Sequence, residues 1–301
     1  MSAVVVLLYV GCFPPRIDSV YAGMETGKVG LGNGNFNYYY LFERSERNYT
    51  LVILIDGSGY TSVLGLIDGD YVTKEGLPSL LHEDLPREFD LLVPEKPNVT
   101  PGQDHSQDPA VLGYYSLDTR SAGCVASVEL VLSQRQYFNV VLLGFSEGGM
   151  VAPFVYTKMS SASSISHVAL ASSGGYSQYE RLRVLWSDNP GKLEELERYK
   201  AEIEANPLST EDYWMGHTFL RWSGFLNYAP IMDLMTIQLP ILLIHGSHDK
   251  SVPVESSRSA FDSLREAGRD DVEYIETDEG HDTMTNGLDD ISDWIEETSV
   301  L

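Results

Sequence analysis

A chain of 301 residues, 43% hydrophobic and 21% charged, is long enough to bury a large core, as one big domain or as a core with a smaller insert. Its 44 acidic residues outnumber 20 basic ones and give a formal charge of −24, which repels phosphate backbones and anionic membranes and argues against nucleic acid as a partner. Two cysteines, Cys12 and Cys124, exclude a disulfide framework or a cysteine-rich metal site, and no apolar run in the sequence is long enough for a transmembrane segment.

The chain opens on an ambiguous stretch. Ala3 to Val10 is apolar and runs into Gly11-Cys12, so residues 1–20 read either as a short leader or as a first β-strand. Val10-Gly11-Cys12 is similar to the end of a bacterial lipobox, with Cys12 as the lipidated residue. No Lys or Arg precedes the apolar run, however, and Tyr9 stands where that motif takes leucine or a small residue. Export, lipid anchoring through Cys12 and a cytoplasmic location are all left open. The glycosylation triplets at Asn48 and Asn98 carry little weight by themselves.

From there apolar runs alternate with longer mixed segments, the pattern of an α/β fold with a mostly parallel sheet. Strands are expected at Phe36–Phe42, Leu51–Asp56, Phe89–Pro94, Phe138–Gly144, within His167–Gly175, at Leu239–Ile244 and at Val272–Glu276. Helices are expected at Leu117–Gln134, where Val125, Val128 and Leu132 share a face, at Val254–Ala267 before Gly268, and at Leu288–Glu297. Between Tyr176 and Thr236 the strand rhythm stops. Asn189-Pro190 reads as a helix start, and Ser209-Thr210-Glu211-Asp212 as a cap opening a second helix that carries His217 and Arg221. This places a helical insertion at 176–236 between core segments 21–175 and 237–301, over the edge of the sheet where open α/β folds bind ligands. Its aromatics, Tyr213, Trp214, Phe219, Trp222, Phe225 and Tyr228, read mainly as the insert's own core, with an apolar acyl pocket as the other reading.

The chemistry concentrates in three places. Gly144-Phe145-Ser146-Glu147-Gly148 follows an apolar strand and precedes a helix, the context in which Ser146 becomes a nucleophile on a strained turn and Gly144 and Gly148 let the backbones approach. Asp249 falls in the turn beyond Leu239–Ile244, and His281 in the loop beyond the last strand, in the order nucleophile, acid, base. His248 and Asp282 stand one residue off those positions, and His245 reads as packing at the strand end. An oxyanion needs two N–H donors: Glu147, at a helix N-terminus, and Ser58 or Gly59 in the loop after the Leu51–Asp56 strand. His105 with Asp104 and Asp108 could suggest a metal site, but a solvated loop is the reading adopted.

Val140–Met150, the His245-Gly246-x-x-Asp249-x-x-Val252-Pro253 pattern and Gly280-His281 together resemble the α/β-hydrolase superfamily, from about Phe36 to the C-terminus. The second pattern is similar to that of prolyl-oligopeptidase-like and carboxylesterase-like members. The resemblance implies the α/β-hydrolase fold, Ser146 as nucleophile, Asp249 as triad acid, His281 as general base and no metal or organic cofactor. Members often carry His-Gly where this chain has Asp56-Gly57, which leaves the second oxyanion donor open between Ser58 and Gly59. The activity it implies is hydrolysis of a carboxylic ester on a small-molecule substrate. Its alternatives are a peptidase, amidase or thioesterase, or a catalytically silent binding protein on the same fold. Against the peptidase, the stretch before Phe36 is too short for the propeller domain such enzymes carry. The sequence gives no reading of oligomeric state.

Overall fold

The protein is described by a computed structural model covering residues 24–44, 49–67, 70–73, 85–86, 88–283 and 287–298. The leader reading, Cys12 and Asn48 lie outside the described residues. The chain begins with β1 (Met24–Gly32) and β2 (Asn35–Phe42), then β3 (Thr50–Ile55), a separate small hairpin of β4 (Leu64–Ile67) and β5 (Asp70–Thr73), and β6 (Phe89–Pro94). Helices α1 (Pro109–Leu112) and α2 (Leu117–Gln134) lead to β7 (Asn139–Phe145), α3 (Glu147–Lys158) and β8 (His167–Ala171). The main sheet has eight strands and finishes with β11 (Ile241–Gly246) and β12 (Val272–Thr277), in the order β1-β2-β6-β3-β7-β8-β11-β12. From β6 to β12 the neighbours run parallel, and β1 and β2 are antiparallel.

Continuous apolar runs are what a parallel strand needs when both its faces are covered. In β3, Leu51, Ile53 and Ile55 face one cluster while Val52 and Leu54 face the other, and β7 divides the same way between Leu142 and Leu143. The first cluster is closed by Cys124, Val128 and Val131 of α2, Met150, Val151 and Val155 of α3, and Ala260 and Leu264 of α8 (Glu255–Glu266). The second is closed by Ile291, Trp294 and Ile295 of α9 (Leu288–Thr298). Burying these side chains on both faces contributes roughly 1.5–3 kcal/mol for each large one and holds the sheet's C-terminal edge in place for the loops that follow.

The hairpin at the start adds a strand that the sequence reading did not include. Asn33 and Gly34 take φ of 51° and 82°, the left-handed pair that a two-residue hairpin turn requires. The Asn98 triplet is structural: its Oδ1 accepts from the Phe36 N–H at 3.0 Å and its Nδ2 donates to Asn35 Oδ1 at 2.9 Å. His105 is likewise not a solvated loop residue. Its Nε2 accepts from the Thr100 N–H at 3.1 Å and its Nδ1 meets Asp108 at 3.0 Å, bracing the loop before α1.

Between β8 and β11 come α4 (Gln178–Leu185), α5 (Pro190–Ala205), a two-stranded hairpin of β9 (Tyr213–Trp214) and β10 (His217–Thr218), α6 (Phe219–Leu226) and α7 (Ile231–Leu234). α5 starts as its sequence suggests, with the Asn189 side chain accepting from the Lys192 N–H and Pro190 in the first turn. Ser209 differs. Its hydroxyl accepts from the N–H groups of Glu211 and Asp212, but the chain then turns through Met215 and Gly216 into the β9–β10 hairpin. The helix opens later, on Thr218, whose hydroxyl accepts from the Arg221 N–H at 3.2 Å, so His217 belongs to β10 and only Arg221 to the helix. Trp214, Phe219 and Trp222 form a cluster with Leu196, Ile203 and Leu226, Phe225 packs into the sheet core, with Tyr228 at its margin, and Tyr213 is exposed. The segment returns to its starting point: the Ile231 N–H donates to the Gly175 carbonyl at 3.3 Å.

Candidate active site

Ser146 ends β7 and opens α3 on a turn so abrupt that its backbone takes φ 55° and ψ −114°, a region costly for an L side chain. The turn exists because its flanks have no side chains. A Cβ on Gly144 would fall 2.4 Å from the Gly148 carbonyl oxygen, and one on Gly148 1.8 Å from that of Ile55. The Ser146 N–H is tied to the Ala171 carbonyl of β8 at 2.9 Å, so the hydroxyl projects from a fixed base.

His281, in the loop after β12, brings Nε2 to 3.0 Å from Ser146 Oγ and donates from Nδ1 to Asp249 Oδ2 at 2.7 Å. Ser172 fixes this loop by donating to the His281 carbonyl at 2.8 Å, and the Phe145 ring lies 5.3 Å from the imidazole. Asp249, in the turn after β11, has its side chain fully buried. Its Oδ1 accepts from the N–H groups of Ser251 at 2.7 Å and Val252 at 2.9 Å. Burial alone would raise this carboxyl, but the hydrogen bonds from His245, His281 and the backbone hold it well below the usual carboxylate range, so it stays an anion. With Nδ1 donating, a neutral His281 presents the lone pair of Nε2 to the serine.

Two buried groups beside this series were not legible as part of it. His245 does pack at the end of β11, but its Nε2 also reaches Asp249 Oδ2 at 3.1 Å and the Val252 carbonyl at 3.2 Å, while Nδ1 meets Ser257 Oγ at 2.7 Å. Glu147, considered above for its N–H alone, buries its side chain against the segment between β8 and β11. Tyr115 donates to its Oε1 at 2.6 Å, and Arg221 of α6 pairs with Oε2. Burial works to raise the Glu147 carboxyl, and Arg221 and Tyr115 outweigh it and bring it below the ordinary value.

The series opens on a cavity of about 840 Å³. Its walls include Asp56, Gly57 and Ser58 from the loop after β3, and Gly59, with φ 106°, turns the chain just beyond them. Asp56 is paired with buried Lys96 at 3.3 Å; burial would raise it, but Lys96, the Gly57 N–H and Arg120 keep it low. The opposite wall comes from α4, the β9–β10 hairpin and α6: Gln178, Arg181, Leu182, Met215, His217, Arg221 and Trp222. Of the aromatics considered for an acyl pocket, Trp222 alone lines it. His217 accepts from or donates to the Tyr60 hydroxyl at 2.7 Å, and burial with Arg221 nearby pushes its imidazole down to about 3, which keeps it neutral. Among the described residues no cluster of three metal-ligating side chains occurs, and no helix is long and apolar enough to cross a membrane. His248 turns away to pair with exposed Asp278, and Asp282 lines the cavity without joining the series.

Solved structures share this architecture. An esterase from Pyrococcus furiosus superposes with a TM-score of 0.60 at 16% identity, covering 97% of this chain and 96% of that one. An α/β hydrolase from Penicillium sp. gives a TM-score of 0.60 at 11% identity over 92% and 99% of the two chains. The acylaminoacyl peptidase of Pyrococcus horikoshii also gives 0.60, at 12% identity, and this chain spans only 42% of that longer protein. Comparison with curated protein sequences finds no match. The mostly parallel, helix-flanked sheet is therefore the α/β-hydrolase fold. Within it the chain belongs to the prolyl oligopeptidase family, whose model matches residues 118–299, more than half of its length. It is a hydrolase of the esterase and peptidase superfamily.

Proposed function

We propose that the protein is a serine hydrolase that cleaves carboxylic esters through an acyl-enzyme. Ser146 Oγ attacks the ester carbonyl while His281 Nε2 takes its proton. The oxyanion that forms accepts hydrogen bonds from the Glu147 N–H and from Ser58 or Gly59, and it collapses as His281 returns the proton to the leaving alcohol. Water then attacks the acyl-serine, giving its proton to the same imidazole, and the acid leaves as Ser146 regains its hydrogen. Asp249 holds the imidazole in the tautomer that both halves need. Residues 176–236 cover the reacting centre as a cap. What carries this reading is the hydrogen-bonded series Ser146–His281–Asp249 ending on a strained serine.

The family match favours a second reading, a peptidase or amidase using the same residues. Hydrolysis of p-nitrophenyl esters beside a proline p-nitroanilide, for wild type, Ser146→Ala and His281→Ala, separates the two. Ester turnover should exceed anilide turnover, and each variant should lose about 10⁶-fold in kcat. Turnover of the anilide alone would move the assignment to peptidase. An active Ser146→Ala variant would remove the assignment altogether.

A further inference from the structure

Two described cations on the cavity wall have no ion pair with a carboxylate, exposed Lys250 and buried Arg181, and the buried one is the costly case. Arg181 of α4 is 5% exposed, yet it lines the cavity that holds Ser146. Its Nε donates to the Tyr176 carbonyl at 3.2 Å and one Nη to Ser173 Oγ at 2.9 Å, both neutral acceptors. The carboxylates whose fields reach it are Asp249, Glu147 and Glu180. All three are bonded elsewhere: Asp249 to His281 and His245, Glu147 to Arg221 and Tyr115, Glu180 to the Ser177 N–H and hydroxyl. Arg221 and Lys96, by contrast, each own a carboxylate. A buried guanidinium bonded only to a carbonyl and a hydroxyl gives up hydration without a counter-charge. That cost registers as a guanidinium pushed down to about 10 by burial.

We propose that Arg181 binds a carboxylate carried by the substrate itself, so that the preferred substrate is a half-ester or another ester bearing a free acid. The inference rests on the serine-hydrolase reading above and specifies its substrate class. A carboxylate fits the site by chemistry: it is planar, it accepts two parallel N–H bonds from a guanidinium, and such charge-assisted pairs are stronger than neutral ones. Gln178, one turn before Arg181 on α4 and also on the wall, has its Oε1 held by Arg221 at 2.7 Å, which leaves its amide N–H groups as donors to a carboxylate. Three carboxylates on the wall oppose an anion from within the cavity, Asp282 and the ion-paired Asp56 and Glu147, and the net charge of −24 opposes its approach from outside. Surface repulsion is long-ranged and screened by salt, whereas the buried contact is screened much less.

The carboxylate can sit on the acyl side or on the leaving group, and two matched pairs distinguish them. For the acyl side, 4-nitrophenyl hydrogen glutarate is compared with its methyl ester. For the leaving side, 4-acetoxybenzoate is compared with its methyl ester. In one pair the free acid should exceed its methyl ester at least tenfold in kcat/KM, and moderate salt should widen that ratio. Arg181→Met should collapse the ratio to about one, with the loss mainly in KM, and Arg181→Lys should restore part of it. Should Arg181→Met fail to fold by circular dichroism, the wild type still decides the matter, because glutarate should inhibit competitively and glutaramide should not. Methyl esters favoured in both pairs, with glutarate no better an inhibitor than glutaramide, would overturn the proposal while leaving the hydrolase reading intact. No turnover of any of the four esters, with no fluorophosphonate labelling of Ser146, would instead overturn that underlying reading.

Discussion

Four N–H groups point at the carboxylate of Asp249: His281 Nδ1 and His245 Nε2 at one oxygen, Ser251 and Val252 at the other. Only an acceptor-only group satisfies all four, because an asparagine amide would set its NH₂ against donors in either orientation. Asp249→Asn therefore pits stability against geometry. If the amide nitrogen takes the inner position, His281 turns over to the tautomer with its proton facing Ser146. We expect kcat to fall by about 10⁴ with a lower unfolding midpoint as well; a variant near wild type in both would place the acid elsewhere. Much of this site was legible from spacing, since a serine between glycines, an aspartate past one strand and a histidine past another each occupy a turn that local sequence defines. His245, Arg181 and the side chain of Glu147 were not. Their roles depend on which groups the fold carries to them, and the hydrogen bond between Arg221 and Glu147 joins residues 74 apart in sequence.

Helix α6 is anchored at its first turn by a charge. Arg221 is 2% exposed and pairs with a Glu147 that is 4% exposed, and the guanidinium lies over Trp222 and Phe225. Removing one partner leaves the other charge buried alone. Arg221→Met should therefore cost roughly 3–5 kcal/mol of stability, whereas the double change with Glu147→Gln should cost less than Arg221→Met by itself. Denaturant titrations of the four proteins check this, and additive losses would mean that the pair contributes nothing as a pair. The strands and long helices were readable because apolar periodicity reports burial directly. The elements that were missed are those set by turns. Asn33-Gly34 carries the signal of a hairpin, but three of the nine residues of β1, METGKVGLG, are glycine and three are polar, with Tyr39 laid across Gly27 where a side chain would otherwise stand. Ser209 shows the converse: a hydroxyl that caps two N–H groups makes a turn, and a helix follows only where the next residues continue it.

At the scale of the whole molecule the dominant quantity is charge. A net −24 makes the compact state repel itself, and added salt relieves the repulsion as the screening length falls from about 30 Å at 0.01 M to about 8 Å at 0.15 M. The melting temperature should rise over that range and then level off; a flat or falling curve would mean that surface ion pairs such as Arg135 with Glu25 and Glu43 offset the excess. The same hydrogen bond that closes the segment between β8 and β11, Ile231 N–H to the Gly175 carbonyl, makes that segment topologically a detour. The chain leaves the end of β8, builds an apolar cluster of its own and comes back beside its departure point at Ile231, before crossing to the start of β11, which runs parallel to β8. Such a detour can lengthen, shorten or be exchanged between proteins without disturbing the register of a single strand. One wall of the cavity can thus be rewritten while Ser146, His281 and Asp249 stay on loops of the sheet, provided that the new segment still supplies a partner for buried Glu147.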